Sequence, residues 1–96
     1  MKSEQTPKVV VGLDNMQRTP DAEEKLNFIF SDTFNTPAGK AVLQSLKSIT
    51  IEAIAGGEIT DHALRHLEGQ RYLYGLIQRR INKGLSQKIV KDRKDK

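Results

Sequence analysis

Two histidines four residues apart are the first residues in this 96-residue chain whose spacing could support chemistry. In a helix His62 and His66 would lie on one side, so both imidazoles could face a single metal ion. A structural zinc site takes four protein ligands and a catalytic site about three, and this stretch supplies no further histidine or cysteine. We therefore expect two surface histidines and no metal site.

The other candidates for chemistry have simpler structural roles. Glu58, Asp61 and Glu68 are placed as helix-cap and surface carboxylates, and Gly56-Gly57 has neither the spacing nor the lysine of a phosphate-binding loop. The sequence predicts no catalytic residue, no cofactor and no small-molecule substrate. We expect a protein that is not an enzyme.

Positive charge is concentrated at the carboxyl end. The net charge is +4, but residues 79–96 carry +6 and the first 78 residues carry −2. Such a segment can neutralise phosphates without sequence preference, or it can be a solvated tail. The candidate nucleic-acid-binding residues are Arg79, Arg80, Lys83, Lys88, Lys91, Arg93, Lys94 and Lys96.

Capping signals predict three helices, and therefore an all-α fold. A threonine precedes a proline at Thr19-Pro20 and again at Thr36-Pro37, and Thr60 precedes Asp61. The predicted helices span Pro20–Phe34, Pro37–Ala55 and Asp61–Lys83, where Gly84 would provide a left-handed stop. The short connection after Gly56-Gly57 favours a central antiparallel hairpin of the second and third helices.

The third helix has two apolar strips. The broader one is expected to face the core and contains Ala63, Leu67, Gln70, Tyr74, Ile77 and Ile81. A second strip, roughly opposite, contains Gly69, Tyr72 and Leu76, and Gly69 and Gly75 could permit close approach of another backbone. We expect a partner to cover this second strip.

Outside the helices, Val9-Val10-Val11 is a β-branched triplet with no second strand-like run to pair with, so it is read as an extended arm that could bind a neighbour. The predicted organisation is an arm over residues 1–18, a helical domain over 19–84 and a basic tail over 85–96. No apolar run suits a signal peptide or membrane span, which predicts a soluble protein. Few aromatic residues and no tryptophan predict a thin core and favour self-association.

Two segments resemble a known family. The first is Phe34-Asn35-Thr36-Pro37-Ala38-Gly39-Lys40-Ala41-Val42-Leu43, and the second, some thirty residues on, is Glu68-Gly69-Gln70-Arg71 followed by apolar residues and Ile77. Together they resemble the small Bordetella-phage-type family of tailed-phage proteins, encoded among head-morphogenesis and portal genes. The resemblance covers roughly residues 34–81.

The resemblance implies a short helical protein with a virion or assembly role, located in the virion and, during assembly, in the host cytoplasm. Its expected partners are portal, head or tail components, with self-association and contact with packaged DNA as further options. Docking on the portal or inner head region, through helices and arm, is the first hypothesis. A non-specific DNA-binding module or small phage regulator using the basic end is the alternative.

Overall fold

The computed structural model describes residues 8–94 of the chain, with side chains for residues 8–91. In this region a small two-stranded sheet precedes three helices, and the fold is mainly helical. The elements are β1 (Val10–Val11), β2 (Gln17–Arg18), α1 (Pro20–Phe34), α2 (Pro37–Ile49) and α3 (Asp61–Lys94).

All three helix starts lie where the capping residues predict them. The Thr19 hydroxyl accepts a hydrogen bond from the Ala22 N–H at 3.2 Å, and the Thr36 hydroxyl accepts one from the Gly39 N–H at 2.9 Å. Thr60 accepts in the same way from the Ala63 N–H at 3.1 Å. Each hydroxyl satisfies a backbone donor that has no partner within the helix.

Gly39 allows the tight turn between α1 and α2. A β-carbon at this position would overlap the carbonyl oxygen of Thr33 and come within 2.8 Å of the Phe34 α-carbon. Both neighbours are backbone atoms, which cannot swing aside. The Thr-Pro-Ala-Gly sequence therefore combines a cap, a helix-compatible proline and the close approach of two helices.

The main helix pair is α1 with α3, whereas we expected α2 with α3. The predicted end of α3 at Lys83 is wrong, because Gly84 is helical and the helix continues to Lys94. A β-carbon at Gly84 would overlap the Asn27 carbonyl oxygen and lie 2.7 Å from the Ser31 β-carbon. Gly84 is thus the contact point of two helix backbones, and packing against α1 outweighs the local cost of a helical glycine.

α2 ends at Ile49, earlier than the predicted Ala55. Thr50 leaves the helical conformation and its hydroxyl donates to the Leu46 carbonyl at 2.7 Å. The Arg71 guanidinium then donates to the carbonyls of Thr50 at 2.9 Å and Ala53 at 2.8 Å. An α3 side chain therefore holds the segment after α2 in a non-helical path.

The arm prediction is also wrong in part. Val10 pairs with Arg18 and Val11 with Gln17, so the valine triplet has an internal antiparallel partner. The turn is closed by a hydrogen bond from the Gly12 N–H to the Met16 carbonyl at 2.8 Å, and Asn15 adopts a left-handed φ of 68°, which asparagine tolerates better than most residues. Residues 1–7 of the predicted arm lie outside the described residues.

The protein is elongated and buries few apolar side chains. Its extents are 61 × 34 × 17 Å, and its radius of gyration of 17.6 Å exceeds the roughly 12 Å of a compact domain of this length. Among the described residues, Ile81 is the one large hydrophobic residue that is buried. Leu67, Tyr74 and Ile77 of the predicted core strip are half-buried, and Ile29 on α1 is 52% exposed.

Candidate functional site: an uncovered apolar face

A groove of about 200 Å³ lies between α2 and the amino-terminal half of α3. Its walls carry no charged residue. They consist of Leu46, Ile49, Thr50, Gln70, Leu73, Tyr74 and Ile77. A concave apolar surface with few polar groups is typical of a binding site rather than a solvated helix face.

Apolar side chains extend this groove on both helices. On α2, Val42 is 52% exposed and Ile49 is 61% exposed; on α3, Leu73 is 56% exposed. We call these three residues, with the groove that they border, the α2–α3 apolar face. The face exists because α3 packs mainly against α1 and leaves the apolar side of α2 partly uncovered.

The predicted second strip lies on the other side of α3 from this face, because Gln70, Tyr74 and Ile77 of the first strip line the groove. Tyr72 is exposed and Leu76 is half-buried, as a partner-covered strip requires in the free chain. Apart from the adjacent backbone of α3 itself, no described atom lies within 4 Å of a β-carbon built at Gly69 or Gly75. The close backbone approach that these glycines could permit is therefore not made by the described part of this chain.

Ile49 and Leu73 are functional candidates that the sequence reading missed. Ile49 recurs at helical spacing with Val42 and Leu46 on α2, a pattern that predicts a core position. Leu73 lies between Tyr72 and Tyr74, outside both strips. No local pattern in the sequence shows which sides of α2 and α3 stay uncovered, because that depends on how the helices pack.

A second cluster, formed by charged residues, joins the sheet to α1 and α3. Arg80 is 1% exposed, and its Nη1 donates to Glu23 Oε2 and to Asn27 Oδ1, both at 2.8 Å. Arg80 Nη2 lies 3.2 Å from Asp14 Oδ2, an ion-pair distance without hydrogen-bond geometry. Arg18 also binds both carboxylates, at 2.5 Å to Glu23 and 2.9 Å to Asp14. We call Asp14, Arg18, Glu23 and Arg80 the charge cluster.

The charge cluster favours the ionised state of its carboxylates. Hydrogen bonds from Arg18 and from the Met16 N–H hold the pKa of Asp14 well below its usual value. Burial raises the pKa of Glu23, but hydrogen bonds from Arg80, Arg18 and the Leu13 N–H outweigh burial and lower the pKa overall. The pKa of Arg18 is raised by its bonds to Asp14 and Glu23. Carboxylates held ionised by two guanidinium groups are poor proton donors at neutral pH, and they serve here as structural anchors.

The structure corrects part of the predicted nucleic-acid interface. Arg80 is buried in the charge cluster, so it cannot contact phosphates. Lys88 pairs with Asp32, and Lys91 pairs with Glu24 at 3.2 Å and lies 5.0 Å from the centre of the Phe28 ring. Arg79 and Lys83 are exposed. The side chains of Arg93 and Lys94, and all of Lys96, lie outside the described residues.

His62 and His66 are both exposed, and His66 Nε2 lies 3.3 Å from the side-chain nitrogen of Gln70. Among the side chains of residues 8–91, no group of three or more histidine, cysteine or acidic residues is placed to hold a metal ion. No helix within residues 8–94 is long and apolar enough to cross a membrane.

The fold and the site define a small helical protein with an uncovered apolar face. Residues 30–91 match the family model of the Bbp19-like phage proteins, which covers more than half of the chain, and the protein belongs to that family. This confirms the resemblance drawn from the two segments. No curated protein and no solved structure matches the chain.

Two residues of those segments have clear structural roles. Gly39 permits the contact between α1 and α2, and Arg71 fixes the segment that follows α2. Arg71 is itself held by Glu68 at 2.8 Å. Both residues therefore help to form the α2–α3 apolar face without being part of it.

Proposed function

We propose that this Bbp19-like phage protein is a non-enzymatic structural or assembly component of the virion, docked on the portal or inner head region. The observation that carries the proposal is the α2–α3 apolar face. Three large apolar side chains that are each more than half exposed cost solvation free energy in a free protein, and a neighbour in an assembly would remove that cost.

The small sheet offers a second contact in the same proposal. Val9 is 53% exposed and Val11 is 64% exposed. Among the described residues, β1 pairs with β2 along one edge and has no strand on its other edge. The other edge of β1 can accept a strand from a neighbouring protein, with the exposed valines adding apolar contact. The arm hypothesis is thus retained with a folded hairpin in place of an extended segment.

Non-specific DNA binding remains a proposal with less support. Arg80, Lys88 and Lys91 each form an ion pair with an acidic side chain, which reduces the positive charge that is available to phosphates. Loss of three candidate phosphate contacts would lower both the affinity and its salt dependence.

Mass spectrometry of purified virions tests the proposal. Full particles and DNA-free heads from the same preparation are compared, with the ratio of this protein to portal protein measured in each. A docked component is expected at the same ratio in both, because its contacts are with protein. Presence in infected cells together with absence from both particles would contradict a virion role, and loss from DNA-free heads alone would favour the DNA-bound alternative.

A further inference from the structure

We propose that the α2–α3 apolar face is the contact surface of a homodimer, so that each copy covers the face of a second copy. This inference rests on the proposed function in treating the face as a contact surface, and it goes further by naming the partner. The sheet edge at β1 is then left for other virion proteins.

The first argument is the size of the core. Among the described residues, α1 and α3 meet through small, polar and charged side chains such as Asn27, Ser31 and Arg80, with Ile81 as the fully buried large hydrophobic residue. A chain of this length has little surplus stability, and small domains with few buried apolar residues are commonly stabilised by oligomerisation. A second copy is present wherever the protein is synthesised, whereas a virion neighbour is present only at assembly.

The second argument is the absence of charge from the face. The groove walls contain no charged residue and include the aromatic ring of Tyr74, and Val42, Ile49 and Leu73 are apolar. In a two-fold contact both partners present the same surface, so a net charge would face itself and repel. An uncharged, aromatic-containing face meets this condition and matches the composition of homodimer interface cores. It lacks the cations that a nucleic-acid partner would require.

The third argument is area. Val42, Ile49 and Leu73 are each more than half exposed, and the half-buried groove residues supply further apolar surface. Together they form the apolar centre of an interface at the small end of the usual range.

Sedimentation velocity of the full chain, over a range of concentrations, tests the homodimer. The wild-type protein is expected to sediment as a dimer, with twice the 10.8 kDa mass of one chain. Leu73→Glu should raise the dissociation constant by about 100-fold or more, because each dimer would then bury two carboxylates. Ile89→Glu is the matched control: Ile89 is also on α3 and is 55% exposed, against 56% for Leu73, but lies outside the face.

Circular dichroism of each variant separates dissociation from unfolding, since Leu73→Glu should keep the helix content of the wild type. A wild-type monomer at every concentration, an assembly larger than two chains, or equal dissociation by Leu73→Glu and Ile89→Glu would overturn the inference. If the protein is a dimer in solution but is absent from purified virions, the proposed function is contradicted and the homodimer is supported. If it is a monomer in solution but is present in virions, the homodimer is contradicted and the proposed function is supported.

Discussion

Replacement of Arg80 by alanine is expected to destabilise the protein by about 3 kcal/mol, the low end of the cost of breaking a buried ion pair by removing one partner. Arg80 is 1% exposed, and its loss would remove the donor that Glu23 and Asn27 share, while Arg18 and the Leu13 N–H still bind Glu23. The measurement is urea unfolding followed by circular dichroism at a fixed protein concentration.

Arg79→Ala is the control for Arg80→Ala. The two arginines are adjacent and carry the same charge, but Arg79 is exposed and its replacement should change the free energy of unfolding by less than about 0.5 kcal/mol. Equal effects of the two substitutions would show that the charge cluster does not stabilise the fold.

The charge cluster should also make the stability of the protein depend on pH. The pKa values of Asp14 and Glu23 are lower in the folded protein, so the unfolded chain binds protons more readily. The two carboxylates therefore stabilise the fold above their unfolded pKa values, and this contribution is lost as the pH falls through the lowered folded values. Part of the acid sensitivity should disappear in Arg80→Ala.

Gly84→Ala is expected to destabilise the protein by at least about 2 kcal/mol, because the added methyl group would force apart two helix backbones. The overlap is with the Asn27 carbonyl oxygen, which can move only if α1 moves. In contrast, Gly75→Ala should stabilise the protein by up to about 1 kcal/mol, since alanine is the better helix former and the described residues leave that site open. The two glycines lie on the same helix, and thermal unfolding of both variants gives the comparison.

If Gly84→Ala proves neutral or stabilising, the close packing of α1 on α3 is contradicted. The opposite outcome at Gly75, a large loss of stability, would indicate that a second chain approaches that position in the folded protein.

Local signals in the sequence predict local structure well in this chain. A hydroxyl followed by proline or an acidic residue fixes each helix start, because the capping bond forms within four residues. Helix ends are predicted less well. Thr50 and Ala53 depart from the helix because Arg71, about twenty residues further on, binds their carbonyls, and no local pattern contains that contact.

Long-range pairing explains the remaining differences. Arg79 and Arg80 look alike in sequence, and only the position of Glu23 and Asp14 in the fold separates a surface cation from a buried anchor. In the same way Gly84 resembles a helix stop until α1 is seen to pack on it. The spacing of Tyr72 and Leu76 predicts the second apolar strip, whereas the exposure of Ile49 and Leu73 depends on how α2 meets α3.

The central claim is that the α2–α3 apolar face is a contact surface in the virion, and competitive incorporation tests it most directly. Phage are grown with equal expression of wild-type protein and a Leu73→Glu or Ile89→Glu variant, and quantitative mass spectrometry gives the ratio of variant to wild type in purified virions. We expect Leu73→Glu to be depleted by about tenfold or more, as for loss of a central interface residue, and Ile89→Glu to be incorporated within about twofold of the wild type. Incorporation of both variants at the wild-type level would contradict the account.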